Sequence, residues 1–84
     1  MSEDKPIERR GDDFVLHLEG ADRRYRVTVP RHLLDDELGA AADEAERRAW
    51  IRANLDGVLG AVTARETGGF AKEPWGRVVV EELP

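Results

Sequence analysis

Cysteine is absent from the 84 residues, so neither a disulfide nor a thiolate metal site supplements the core. Serine occurs once, as Ser2, which leaves Thr28, Thr63, Thr67 and Tyr25 as hydroxyl nucleophiles, none beside a credible base. No apolar run is long enough to span a bilayer, and the opening "MSEDKPIERRGDD" is charged where a secretory signal needs an apolar stretch. No internal repeat or low-complexity block occurs. The expectation is a soluble, cytoplasmic protein with no membrane partner and no enzymatic activity. Net charge is −5, which disfavours general attraction to nucleic acid.

What is present is enough for one small domain, a single sheet-plus-helix layer. Residues 1–12 are almost wholly charged or polar, with Ile7 the one sizeable aliphatic after Met1, and read as a flexible tail preceding a domain over 13–84. From residue 13 the pattern changes. Phe14, Leu16 and Leu18 alternate with Val15, His17 and Glu19; after "GADR", Tyr25, Val27 and Val29 alternate with Arg24, Arg26 and Thr28. Alternation on both sides of a Gly/Asp turn predicts an antiparallel hairpin. The pairing Leu18–Tyr25, Leu16–Val27 and Phe14–Val29 puts six apolar side chains on one face and Glu19 opposite Arg24 on the other.

Pro30 ends the second strand, and "RHLLDDELG" predicts a short helix burying Leu33, Leu34 and Leu38, stopped by Gly39. A long helix follows from about Glu44 to Thr67, with Asp43 as N-cap, Glu46 completing a capping box, and Gly68 and Gly69 ending it. Arg77–Leu83 closes the chain as a strand. The fold class is α+β: a three-stranded, mainly antiparallel sheet packed on one long helix, in the order β-β-α-α-β. The last strand pairs either with the first strand of the hairpin, antiparallel, or with the second, parallel by a right-handed crossover; the first placement is preferred, because both sheet faces need not then be covered.

The long helix has two faces. Ile51, Leu55, Val58, Leu59 and Val62 form a core stripe. Nearly opposite lie Ala53, Gly57, Gly60, Ala61 and Ala64, with Trp50 at the upstream edge. Each glycine inside a helix costs roughly 1 kcal/mol relative to alanine, so two of them suggest close approach of another backbone. Three explanations stand open. The short helix folds back over the groove; a second copy or another protein's helix enters it with Trp50 as anchor; or the alanines and glycines reflect composition alone. In the segment after the helix, Phe70 and Trp75 are expected to plug the open end of the core, with ligand binding under their lip as the weaker alternative.

Other chemistry is thinly represented. His17 falls beside Arg26 with nothing to orient it as a base or metal ligand, and His32 has no obvious partner. The acidic clusters lack calcium-loop spacing, and the glycines follow or interrupt helices where phosphate loops precede them. No cofactor or metal is expected. Arg23, Arg24 and Arg26 form one basic patch on the hairpin, the basis of an alternative reading as a nucleic-acid-associated regulator. Glu19 and the absence of an interleaved aromatic row weigh against it.

Taken in order, "FVLHLEG…YRVTVPRHLLDDELGA…WIRANLDGVLGAVTAR…GRVVVEEL" resembles a family of small proteobacterial proteins classed as a domain of unknown function, over residues 14–83. "AKEPWG" departs from that family's pattern. The resemblance implies the same succession of elements and no activity, substrate or catalytic residue. The functional expectation is therefore a non-enzymatic interaction module, homodimeric or binding another protein through Trp50, Ala53, Gly57, Gly60, Ala61 and Ala64.

Overall fold

In the computed structural model, which describes residues 7–19, 23–72 and 74–84, four strands form one antiparallel sheet in the order β1-β2-β3-β4. β1 (Ile7–Arg10) lies within the segment expected to be a flexible tail; residues 1–6 of that segment lie outside the described residues. Gly11, at φ 61°, supplies the left-handed residue in the turn that folds β1 back onto β2 (Asp13–Glu19). Ile7 pairs with Leu16 and is buried, and Arg9 pairs with Phe14 on the same face. A strand with one apolar side chain carries almost no alternation signal. It is held instead by its ladder and by Arg9 and Arg48, described below.

β2 and β3 (Arg24–Val29) pair in the expected register: Phe14 with Val29, Leu16 with Val27, Leu18 with Tyr25, Glu19 with Arg24. The expected turn at 20–22 lies outside the described residues. All six apolar side chains of that face are buried. Each fully buried side chain of this kind contributes about 1.5–3 kcal/mol over leaving it in water, which makes this face the core of the domain.

β4 (Val79–Leu83) pairs antiparallel with β3, placing Val80 opposite Val27 and Val79 opposite Thr28. The expected position beside the hairpin's first strand is thus incorrect. β1 already occupies that edge, and only the β3 edge is left. The helical connection also returns the chain to the end of the sheet it left, since Thr28 near the end of β3 faces Val79 at the start of β4.

Between β3 and β4 run three helices, not two. α1 (Arg31–Leu38) buries Leu33 and Leu34; the Asp13 carboxylate at the start of β2 accepts from the Arg31 backbone N–H at 2.8 Å, satisfying a free donor of the first turn. α2 (Glu44–Ala53) opens with the predicted capping box: Glu46 N–H donates to Asp43 at 2.8 Å, and Asp43 N–H to the Glu46 carboxylate at 3.4 Å. The expected single helix then breaks at Asn54, and α3 (Leu55–Thr67) begins. The Asn54 amide donates to the Trp50 carbonyl at 2.8 Å, the acceptor that an unbroken helix would reserve for the Asn54 backbone N–H. That N–H bonds to Ile51 O instead, at 3.1 Å. A straight helix over 44–67 would run about 36 Å, whereas strands of this size span about 20 Å. The break lets both halves lie over the sheet, so that Ile51 from α2 and Val58 and Val62 from α3 are all buried in one core. Leu55 is half-buried and Leu59 is 47% exposed, so the expected stripe loses one member where the axis turns.

Arg47 fastens α1 to α2. Its side chain is only 10% exposed. The guanidinium donates to Asp35 at 2.8 Å and to the carbonyls of Ala42 at 2.9 Å and Ala40 at 3.3 Å. On the far side, Arg48 donates to Ile7 O at 3.1 Å, pairs with Glu44, and lies over the Phe14 ring at 5.4 Å; Arg9 also reaches Glu44, at 3.0 Å. Two neighbouring arginines of α2 thus hold α1 on one side and β1 on the other.

The Arg47 hydrogen bond holds the Asp35 carboxyl below its ordinary value of 3.8. A carboxyl depressed in the folded state adds stability that is complete at neutral pH and fades as pH drops below its unfolded value and through its folded one. Arg47→Ala should lower stability by about 2 kcal/mol, and Arg47→Lys should recover only part, because an ammonium cannot span the same carbonyls. Urea unfolding at a series of pH values checks both points: the loss should be largest near neutrality and shrink below pH 3.8.

Candidate functional site

The small-residue face of α3 is partly filled by the chain itself. A 3-10 turn, Trp75–Arg77, sets the Trp75 indole against Gly57: a Cβ built on Gly57 would lie 2.0 Å from Trp75 Cε2. Trp75 also stacks on Trp50, with ring centroids 5.3 Å apart and planes 21° from parallel. The occupant of the groove at Gly57 is therefore neither α1 nor, at that position, a foreign helix. Arg77 pairs with Asp36 of α1 at 2.6 Å and so holds the turn in place.

The six expected contact residues divide accordingly. Trp50 and Gly57 are engaged by Trp75, and Ala61 is buried. Ala64 is half-buried, while Ala53 and Gly60 are exposed; nothing lies within 4 Å of where a Gly60 Cβ would sit. The two mid-helix glycines, indistinguishable by spacing, thus have different surroundings.

Phe70 corrects a second expectation. It does not plug the core; it is 100% exposed. The helix ends at Gly68 in the left-handed region, φ 75°, and Gly69 N–H bonds back to Ala64 O at 2.9 Å, which completes the terminus without a hydrophobic contact from the next residue. The chain leaves the helix with Phe70 pointing away from the core, and Trp75 closes the end alone.

Two open hollows flank this segment. One, of about 430 Å³, is bordered by Asp56, Gly57, Gly60, Phe70, Lys72 and Trp75. The other, of about 420 Å³, lies between Ala61, Ala64 and Arg65 on α3 and Val78 and Val80 on the β4 side, again with Phe70 and Trp75 on its border. Ala71 and Phe70 belong to both, residues that periodicity does not pick out; the Gly68–Gly69 pair, which turns the chain outward, was the available signal.

The basic patch is electrically offset by β4. Arg26 pairs with Glu81 at 3.1 Å and Arg23 with Glu82 at 3.4 Å, while Arg24 donates to the Pro84 carbonyl at 3.4 Å. Arg26 holds the Glu81 carboxyl below its ordinary range. Burial, and then the Glu66 carboxylate that accepts from the Tyr25 hydroxyl at 3.2 Å, push the Tyr25 hydroxyl up. A third hollow, of about 200 Å³, is lined by Arg9, Arg31 and Arg47, but each of these is paired: with Glu44, with Asp12 and Asp35, and with Asp35. His17 and His32 are exposed, His17 opposite Arg26 as the hairpin register requires. Among the described residues no three His, Asp or Glu side chains group so as to hold a metal ion, and no helix is long and apolar enough to cross a membrane.

No family model matches the chain, and no curated protein or solved structure is significantly similar to it.

The contrast between the two glycines is testable. Gly57→Ala should push Trp75 off Trp50, alter the tryptophan fluorescence and cost about 1–3 kcal/mol through overpacking. Gly60→Ala should leave the spectrum unchanged and stabilise by up to about 1 kcal/mol. Chemical denaturation monitored by fluorescence measures both.

Proposed function

We propose that the chain is a non-enzymatic protein-interaction module whose contact surface is Phe70 together with the open part of the small-residue face of α3, Gly60 and Ala64. The observation that carries this reading is the complete exposure of Phe70 beside two hollows, of which the one over Gly57 and Gly60 is mainly apolar. Burying one such ring is worth about 1.5–3 kcal/mol, and large aromatics in contact with small residues are common anchors at interfaces. Trp50, Gly57 and Ala61 support the surface from beneath, through the stacked indoles, instead of meeting a partner directly; Ala53 extends it upstream.

The alternative, a nucleic-acid-associated regulator acting through Arg23, Arg24 and Arg26, has less support. Glu81 and Glu82 stand against two of the three guanidinium groups, so the patch offers little net positive charge to a phosphate backbone.

A photoactivatable benzoyl-phenylalanine at position 70, in the chain expressed in its native cells, tests the reading. We expect a crosslinked protein species whose yield falls at least several-fold when the same group is placed at the exposed His32, on α1. Equal yields at the two positions, or no crosslink at 70, would reject the surface.

A further inference from the structure

Resting on that reading, we infer that the partner on the Phe70 surface is a second copy of this chain, docked about a two-fold axis. Projection and depression lie on one patch: the exposed Phe70 ring borders the hollow that Gly57 and Gly60 floor. In a two-fold contact residue i meets j and j meets i, so each ring enters the hollow of the other copy. An unrelated partner would have to bring both a pocket for Phe70 and a side chain for the hollow; a second copy has both. Gly60, with open space where its Cβ would be, lets the two surfaces approach closely at the centre.

Charge points the same way. Asp56 and Lys72 border the hollow beside Gly60, and Arg65 borders the adjoining one. None of the three has an ion-pair partner among the described residues, a state they share with Arg10 and Arg52, whereas Arg23 and Arg26 beside β4 and Arg47 and Arg48 on α2 are paired within the chain. A patch of one sign repels its own copy; this patch carries both signs and is complementary to itself. Two Phe rings supply roughly 150–250 Å² each, a fraction of the roughly 1,200 Å² of a small specific interface. The dimer is accordingly a concentration-dependent one.

Sedimentation equilibrium of the full chain, from micromolar to about 1 mM, tests this. The wild type should rise from 9.4 kDa towards twice that mass, and Phe70→Ser should remain monomeric with an unchanged fold by tryptophan fluorescence. Asp56→Lys makes the patch wholly basic, and Lys72→Glu with Arg65→Glu makes it wholly acidic. Each variant alone should dimerise at least tenfold more weakly, and an equimolar mixture should recover the association. A wild type monomeric throughout, a dimer indifferent to Phe70→Ser, or charge variants that fail to complement would each overturn the inference. If the wild type is monomeric while position 70 crosslinks to a different protein, the second copy is excluded and the interaction surface stands; with no crosslink, both fall.

Discussion

One constraint organises the molecule: the apolar face of the central hairpin, from Phe14 to Val29, must be covered on one side by a helical layer barely longer than itself. Every helix is shaped by it. α1 contributes Leu33 and Leu34, α2 contributes Ile51, and α3 contributes Val58 and Val62 to the same cluster. A rigid 24-residue rod could not lay its full apolar stripe over strands about 20 Å long, so the helix yields at the residue whose own amide can satisfy a carbonyl, Asn54. The conformational cost of the break is offset by keeping both halves over the sheet.

The open end of this sandwich is closed by one indole on one glycine. Trp75 reaches Gly57 because nothing larger than hydrogen fits there, and its stacking on Trp50 links the segment preceding β4 to α2. With the end closed in this way, Phe70 has no place in the core. Its exposure follows from how the helix terminates at Gly68 and Gly69 and gives the domain its least compensated apolar surface.

Charge follows a corresponding division. Arg23, Arg24 and Arg26 of the hairpin and Arg47 and Arg48 of α2 are committed to carboxylates or carbonyls, and Arg47 adds a polar tie between α1 and α2 beside the apolar side chains both place in the core. This explains how a chain with so many arginines presents few unmatched guanidinium groups on the hairpin. Asp56, Lys72 and Arg65, which have no ion pair among the described residues, border the hollows beside Phe70, so exposed apolar surface and unmatched charge adjoin there.

Local pattern alone determined the β2–β3 register, the capping box at Asp43 and Glu46, the short helix after Pro30 and the α+β class, because each depends on side chains two to four positions apart or on a single turn. Long-range contacts decided the rest. β1 holds through Arg9 and Arg48 bridging to other elements; β4 took the β3 edge because the other was occupied; and Gly57 differs from Gly60 only because Trp75, eighteen residues on, lies over one of them. Periodicity sorts residues onto faces, but it carries no information about which distant side chain comes to rest there. That is settled by which surfaces remain uncovered once the core has closed.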